Sequence, residues 1–288
     1  MTRVQTPLNR LAVASGETLA WGVRTYVIGI INLTPDSFSG DGLGGDVDAA
    51  VDLALRFQEE GADILDIGAE STRPGHKQIS LNKELARLMP ALEAVAKRVD
   101  LPISVDTYKA AVARRAVDAG AVIINDIWGL KAEPELAEVA AETCAGLVLM
   151  HNQKGTQYGD LVPNLVSSLE DSVRTALEAG VPRDNIIVDP GIGFGKTPDQ
   201  NLAVLARLDE LKGLDCPILV GTSRKSTLGL LLDLPAEERV EATAATVSLA
   251  IAGGADLVRV HDVKEMVRVC RVTDAVVRGW RPEGWKAS

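Results

Sequence analysis

The sequence predicts a (β/α)8 barrel (a TIM barrel), formed by a single domain over residues 1–288 and preceded by an N-terminal β-hairpin in residues 1–26. Two observations lead to this fold class. Short apolar runs alternate with amphipathic segments eight times after residue 26, as strands and helices do in α/β proteins. Polar residues also fall at or just beyond the C-terminal end of nearly every apolar run. In a barrel, all eight of these ends meet at one mouth.

The elements follow from periodicity and from the glycines that punctuate it. The predicted strands cover residues 27–33, 63–69, 103–107, 122–127, 146–151, 185–191, 217–223 and 257–262. The predicted helices cover 47–60, 82–98, 109–119, 134–143, 165–179, 201–211, 237–252 and 263–277. Helix ends favour glycine in a left-handed cap, which is the role expected of Gly61, Gly120, Gly180 and Gly253. Residues 10–14 and 18–26 are expected to pair as a hairpin that closes one end of the domain.

A doubly wound sheet is the alternative to the barrel. In that fold, only the strands at the switch point would carry polar residues at their C-terminal ends. Here the polar residues are spread over all the predicted strands: Asn32, Asp66, Asp106, Asn125, His151, Asp189, Ser223, Arg259 and His261. This distribution favours the barrel.

Composition excludes several classes of function. The chain is 46% hydrophobic and 24% charged, with a formal net charge of −10. Such an acidic balance argues against nonspecific binding to nucleic acid or to acidic membranes. No apolar run is long enough for a signal-peptide core or a membrane span, so we expect a cytoplasmic protein. Cys144, Cys216 and Cys270 lack metal-type spacing and are predicted to be buried thiols.

Three polar residues at strand ends suggest a ligand rich in hydrogen-bonding groups. Asp106, Asn125 and Asp189 could each have a structural role, since an aspartate can cap the next helix and an asparagine can tie two strands together. All three at the same barrel end suit a flat aminopyrimidinone ring, because a carboxylate can accept from a ring N–H and an exocyclic amine together.

Positive charge is concentrated after the last two predicted strands. Gly221-Thr-Ser-Arg-Lys-Ser226 combines two basic residues and two hydroxyls at the predicted start of a helix, which is typical of an anion site. A solvated basic turn is the alternative. Arg259 and His261 point to the same side of their strand and could be structural, or could clamp an anion.

Three loops at the predicted mouth complete the candidate site. Residues 34–45 and 71–75 carry hydroxyls with Asp36, Asp41 and Arg73, and are predicted to be mobile lids rather than plain surface loops. The third, Asp189-Pro-Gly-Ile-Gly-Phe-Gly-Lys196, is glycine-rich but lacks the spacing of a nucleotide-binding loop. His76 and Lys196 are predicted to be exposed loop residues.

Ordered motifs from Val27 to about Val276 closely resemble the dihydropteroate synthase family, whose members are pterin-binding (β/α)8 barrels. The matching motifs are Gly29-Ile-Ile-Asn32-Leu-Thr-Pro-Asp-Ser-Phe-Ser39, Asp66-Ile-Gly-Ala-Glu-Ser-Thr72-Arg73-Pro74-Gly75, Ser104-Val-Asp106-Thr107, Ile124-Asn125-Asp126-Ile127, Leu149-Met150-His151, Asp189–Lys196, Ser223–Ser226 and Arg259-Val-His261-Asp-Val263. The resemblance implies an enzyme that joins p-aminobenzoate to 6-hydroxymethyl-7,8-dihydropterin diphosphate, in folate biosynthesis.

The resemblance also implies roles for individual residues. The pterin would be held by Asp106, Asn125, Asp189 and Lys225. The diphosphate would be bound by Thr72, Arg259 and His261, with Asn32 as a ligand of the bridging Mg²⁺. The p-aminobenzoate side would be formed by Arg73, Pro74, Phe194 and Ser226. Catalysis would depend on Asp106, Lys225, Arg259 and His261. The family further implies a homodimer and a target of sulfonamides.

Two other functions remain open at this stage. A catalytically silent paralogue would bind pterin only, and would have no need of Arg73 or Asn32. A pterin-dependent methyltransferase of the same barrel family would have no use for Thr72-Arg-Pro-Gly75 or Ser223-Arg-Lys-Ser226. The segment after His151 departs from the His-Met-Gln form of many members, which leaves the shape of the pterin-side wall open. Lys225→Ala and Asp106→Ala are each predicted to abolish turnover, whereas Lys196→Ala is not.

Overall fold

A computed structural model of the protein describes residues 10–12, 18–34, 42–71 and 78–286. Two short strands, β1 (Arg10–Ala12) and β2 (Thr18–Ala20), pair antiparallel as the predicted hairpin. The remaining strands are β3 (Tyr26–Asn32), β4 (Ile64–Gly68), β5 (Ile103–Asp106), β6 (Ile123–Asp126), β7 (Gly146–Met150), β8 (Ile186–Asp189), β9 (Leu219–Val220) and β10 (Leu257–Val260).

These eight strands form one parallel sheet in the order β8-β7-β6-β5-β4-β3-β10-β9. The two ends of the sheet meet through a parallel bridge between Val188 and Ile218, which nearly closes it into a barrel. The predicted (β/α)8 barrel with its N-terminal hairpin is therefore confirmed. All eight strands point their C-terminal ends toward the same mouth, as the fold requires. The extent of a single domain over residues 1–288 stays a prediction.

The helices surround the sheet. They are α1 (Val47–Glu60), α2 (Leu81–Ala96), α3 (Ala110–Asp118), α4 (Leu136–Thr143), α5 (Leu161–Glu178), α6 (Pro198–Ala206), α7 (Ser226–Leu232), α8 (Val240–Gly253) and α9 (Val263–Val277). The short α7 lies outside the eight predicted ranges, but it begins at Ser226, where the basic motif Gly221–Ser226 was predicted to start a helix. Gly253 was also assigned the wrong role. It belongs to α8, and Gly254, at φ 111°, is the left-handed cap.

The hairpin and the turn that follows it close the N-terminal end of the barrel. Leu19 and Trp21 join a buried apolar cluster made by residues near the start of the strands: Tyr26, Ile28, Ile64, Ile123, Val148, Ile187, Leu219 and Leu257. Tyr26 fixes the closure, because its hydroxyl accepts from Ala20 N–H at 2.8 Å and its ring meets Trp21 edge to face. With this end filled by side chains, a ligand can reach the barrel interior only from the opposite mouth.

Two further predictions are tested by burial and helix length. Cys216 and Cys270 are buried as expected, but Cys144 is exposed, because it is the left-handed residue that ends α4. Among the helices of the described residues, none has the length and apolar character needed to cross a membrane.

Candidate active site

The mouth of the barrel is organised around Arg259. Its Nε donates to Asp66 Oδ2 at 2.6 Å, and its Nη2 donates to Asp106 Oδ2 at 3.0 Å. Asn125 joins the network by donating from Nδ2 to the same Asp66 oxygen at 3.3 Å. Four strands, β4, β5, β6 and β10, thus contribute one side chain each. This geometry is consistent with both interpretations of Asn125, as a tie between strands and as a site residue.

Gly68 allows Asp106 to take this position. The two residues pair across β4 and β5, and a Cβ on Gly68 would lie 3.2 Å from Asp106 Cβ. A larger residue would push the carboxylate out of the network. The alternative in which Asp106 caps the next helix is not what the structure shows, since the residue that precedes α3 is Lys109.

Negative charge exceeds positive charge in this network. Burial raises the pKa of Asp106 to about 7, against the lowering effect of Arg259, and Asp66 and Glu84 raise it further. Burial also raises the pKa of Asp189 to about 6, opposed by the Gly191 N–H and by Lys225. Within the described part of the chain, Asp66 Oδ1 and Asp106 Oδ1 are buried without a hydrogen-bond partner. Buried acceptors of this kind are rare in proteins and commonly mark a binding site.

The predicted anion loop after β9 is only partly available to a ligand. Arg224 is in the left-handed conformation at φ 56° and pairs with Asp262, Nη2 to Oδ1, at 2.6 Å. This arginine anchors the loop to the residue after His261, and its assignment to the anion site stays a prediction. Lys225 instead lies above the Phe194 ring, with its Nζ 4.3 Å from the ring centroid. Ser226 is the first residue of α7.

His261 is oriented by Ser223. The Ser223 hydroxyl accepts from the His261 backbone N–H at 3.1 Å and lies 2.9 Å from its Nδ1. Since the hydroxyl hydrogen can then point to Nδ1, Ser223 fixes the orientation of the His261 ring at the mouth of the barrel.

Asn32 ends β3 beside Gly68 of β4, and its side chain is half-buried. Its backbone oxygen accepts from Leu43 N–H at 2.9 Å, where the chain returns to the barrel. No group of three or more His, Cys, Asp or Glu side chains in the described ranges could form a metal cage. One amide oxygen fits Mg²⁺ all the same, because this ion commonly keeps waters and binds few protein ligands alongside a substrate's phosphates.

Thr72, Arg73 and Pro74 lie outside the described residues, as do Asp36, Asp41 and His76. The predicted roles of Thr72, Arg73 and Pro74, and the prediction of mobile lids, thus stay predictions. Five of the other predicted site residues fall into two groups at one barrel end. Asp106, Asn125 and Arg259 share the Asp66 network, and Lys225 contacts Phe194.

Lys196 is not exposed, and that prediction is wrong. It is 8% exposed, and its Nζ lies 3.0 Å from His151 Nδ1. It donates to the backbone oxygens of Gly191 and Phe194 at 3.0 and 3.1 Å. Burial lowers the pKa of Lys196 to about 7, and burial with the neighbouring Lys196 lowers that of His151 to about 3.

Sequence reasoning also missed a buried ion cluster behind the site. Lys109 Nζ donates to Glu70 Oε2 and to Glu84 Oε2, both at 2.6 Å, and to Ile79 O at 2.8 Å. Burial raises the pKa of Glu84, against the lowering effect of Lys109. A signal was present, because Glu84 occupies a core position of an amphipathic helix, where a carboxylate needs a partner.

Comparison with known proteins agrees with this geometry. The model of a family described as "Pterin binding enzyme" matches residues 28–261. The chain is 51% identical to the dihydropteroate synthase of Bacillus subtilis over 90% of this chain and 91% of that protein. Among solved structures, the Yersinia pestis dihydropteroate synthase with a sulfonamide drug complex has a TM-score of 0.88 at 41% identity, over 93% of this chain and 98% of that one. The Xanthomonas albilineans enzyme with 4-aminobenzoic acid has a TM-score of 0.87 at 42% identity, with the same coverage.

Proposed function

Because the chain belongs to the dihydropteroate synthase family, we propose that its barrel mouth binds a pterin diphosphate beside p-aminobenzoate and joins them. The enzyme is a transferase that forms 7,8-dihydropteroate from 6-hydroxymethyl-7,8-dihydropterin diphosphate and p-aminobenzoate, and releases diphosphate. The observation that carries the assignment of residues is the buried network of Asp66, Asp106 and Asn125 around Arg259.

The pterin ring belongs among Asp106, Asn125, Asp189 and Lys225. A pterin presents ring N–H and amine donors on one edge, and a buried carboxylate can accept from two such donors at once. Asp106 Oδ1 is a buried acceptor without a partner among the described residues, and Asp189 faces the same barrel end. Lys225 supplies a cation near both carboxylates, since it lowers the pKa of each.

The diphosphate belongs with Arg259, His261 and Thr72. A guanidinium has five N–H donors, and the two hydrogen bonds to Asp66 and Asp106 use only two of them. The remaining donors of Arg259, beside the His261 ring, can bind oxyanions. Departure of diphosphate is favoured where positive charge and donors are already in place. The aniline nitrogen of p-aminobenzoate then attacks the methylene carbon attached to the pterin ring, so no protein nucleophile is needed.

The p-aminobenzoate side combines Phe194, Ser226, Arg73 and Pro74. Phe194 offers an apolar ring face, and the Lys225 ammonium lies above the ring. The Ser226 hydroxyl, at the first residue of α7, is a donor for the benzoate carboxylate. This arrangement sets the second substrate beside the pterin, with Lys225 between the two binding regions.

We assign Asn32 as a protein ligand of Mg²⁺. The ion would neutralise charge on the departing diphosphate when it is bound. The side-chain oxygen of Asn32 and the strand end on which it stands suit a hard cation that shares its coordination with substrate phosphates.

A homodimer is supported by apolar side chains on the outer helices α7, α8 and α9. The exposed side chains are Leu230, Leu231, Leu232, Leu249, Val272 and Val276, each at least half exposed. Large exposed apolar patches commonly mark protein–protein contacts, and these side chains are candidates for one. Sedimentation velocity on the purified protein tests the proposal, with a monomer at micromolar concentration as the outcome that would reject it. The cytoplasmic location stays a prediction.

The deciding experiment measures diphosphate release from the pterin diphosphate with Mg²⁺, with and without p-aminobenzoate. We expect release that depends on p-aminobenzoate, together with formation of dihydropteroate. Tight pterin binding without release under either condition would instead identify a silent paralogue and remove the assigned role of Arg259 and His261. Transfer of a methyl group to a corrinoid would identify a methyltransferase.

A further inference from the structure

The loop that follows β8 carries Phe194 toward Lys225, yet its sequence has little of its own to hold it. Gly191, Gly193 and Gly195 all adopt positive φ, at 68°, 83° and 57°. Glycine has the largest conformational freedom in the unfolded chain, so a segment with three of them needs external contacts to keep one conformation. Apart from the hydrogen bond from Phe194 N–H to Gly191 O at 3.1 Å, the position of Phe194 must therefore be fixed by side-chain contacts.

Lys196, the last residue of the loop, supplies such contacts with its side chain. Its buried ammonium donates to the backbone oxygens of Gly191 and Phe194 and lies within hydrogen-bond distance of His151 Nδ1. An ammonium has three N–H groups, and all three are accounted for in this way. The loop thus curls around the Lys196 side chain and is tied by it to the end of β7.

Close packing and two other hydrogen bonds hold the same loop. A Cβ on Gly195 would lie 2.6 Å from Gln153 O, so the loop backbone sits directly on the segment that follows β7. Tyr158 Oη donates to Gly195 O at 2.8 Å, and Gly193 N–H donates to Asn201 Oδ1 at 2.8 Å. Lys196 differs from these contacts because it alone in this set binds Phe194 itself, through the backbone oxygen.

We propose that Lys196 is a positioning residue for the p-aminobenzoate side, acting by fixing the Phe194 ring against Lys225. Its Nζ contacts the loop from behind and reaches the substrates only through Phe194. Asp106 and Asn125 depend on it less, because they stand on strands whose ladders do not involve the loop. Asp189 is the pterin group nearest to the loop, since it accepts from Gly191 N–H at 2.7 Å. This inference rests on the proposed function for its substrate names.

The test replaces Lys196 by Met, which keeps a long apolar stem and removes the three donors. We expect the KM for p-aminobenzoate to rise about ten-fold, since displacement of a positioned group by about 1 Å commonly costs one to two orders of magnitude. The dissociation constant of the pterin diphosphate should change by less than about three-fold. Amide hydrogen exchange at residues 191–195 should accelerate in the variant.

Lys131→Met is the matched control. Lys131 is an exposed lysine that also lies near His151, but its Nζ donates to Asn152 O and Ser168 Oγ and does not contact the loop. This control should leave the KM for p-aminobenzoate and exchange of residues 191–195 unchanged. Lys196→Ala should behave as Lys196→Met does, with impaired rather than abolished turnover.

The outcomes separate this inference from the proposed function. If amide exchange and the KM for p-aminobenzoate are unchanged in Lys196→Met, the inference is overturned. Turnover by the wild type would still support the proposed function in that case. An equal loss of pterin and p-aminobenzoate binding would also overturn it, as a general loss of folding. Accelerated exchange in a protein that forms no dihydropteroate would uphold the anchoring of the loop and reject the proposed function.

Discussion

Replacement of Asp106 by Asn should remove turnover and yet stabilise the folded protein at alkaline pH. The wild-type carboxyl is buried beside Asp66 and Glu84, and burial is the main reason that its pKa stands near 7. An amide has nearly the same shape but no charge. The variant therefore separates the electrostatic cost of the site from its packing.

The magnitude follows from the difference between the ordinary pKa of 3.8 and about 7 in the folded protein. At about 1.4 kcal/mol per pH unit, ionising this group in the fold costs about 4 kcal/mol. The favourable contribution of the protonated group is complete below about pH 4 and is lost as pH rises through about 7. The amide avoids this loss. Its NH2 group would, however, take the buried position of Oδ1, which has no hydrogen-bond partner, and this offsets about 2 kcal/mol of the gain in stability.

We therefore expect Asp106→Asn to raise the free energy of unfolding by about 2 kcal/mol at pH 8 and to change it by less than about 0.5 kcal/mol in either direction at pH 5. Urea denaturation of the ligand-free protein at both pH values, at one fixed protein concentration, measures the difference. Asp118→Asn, on the exposed end of α3, is the matched control and should show no pH-dependent change. Equal destabilisation of Asp106→Asn at both pH values would refute the electrostatic reasoning.

The remaining predictions concern one residue each. Lys225→Ala should abolish dihydropteroate formation in a steady-state assay, whereas Lys97→Ala, on the exposed end of α2, should leave it unchanged; equal activities would contradict the site assignment. Lys109→Met should lower the free energy of unfolding by about 3–5 kcal/mol in urea, because two buried carboxylates lose their cation; a loss below about 1 kcal/mol would show that the cluster is not essential. Asn32→Ala should raise the Mg²⁺ concentration needed for half-maximal turnover about ten-fold, and an unchanged Mg²⁺ titration would remove Asn32 as a ligand.

The parts of this protein that the sequence predicted well are those governed by periodicity. Helices α1 and α9 have the predicted bounds, because each carries a clear apolar stripe between polar segments. Strand ends were predicted nearly as well, and so was the convergence of Asp106, Asn125 and Arg259. In a barrel, a residue at the C-terminal end of any strand lies at the mouth. The location of these three residues can therefore be predicted from their positions along the sequence alone.

The errors fall where a residue's partner is distant in sequence. Lys196 follows a glycine-rich segment and has the pattern of an exposed loop lysine, and only the fold shows that it is enclosed by its own loop and by His151. The ion pair of Arg224 with Asp262 was likewise not predicted, and only the fold shows it. Local pattern carries no information about such pairs, because the energy of a buried charge is set by which groups the chain brings around it.

The surplus of buried carboxylates at the barrel mouth makes sense only if a ligand is part of the site. Without one, Asp66 and Asp106 share a single guanidinium, and each leaves a buried oxygen without a donor among the described residues. A core built for stability alone would avoid that arrangement, since each unsatisfied acceptor costs about 1–3 kcal/mol. A ring rich in N–H donors supplies what the acceptors lack and favours their ionised form. Part of the affinity for such a ring therefore comes from relief of a cost that the folded chain bears in its absence, which is why the same substitution at Asp106 should stabilise the protein and disable it.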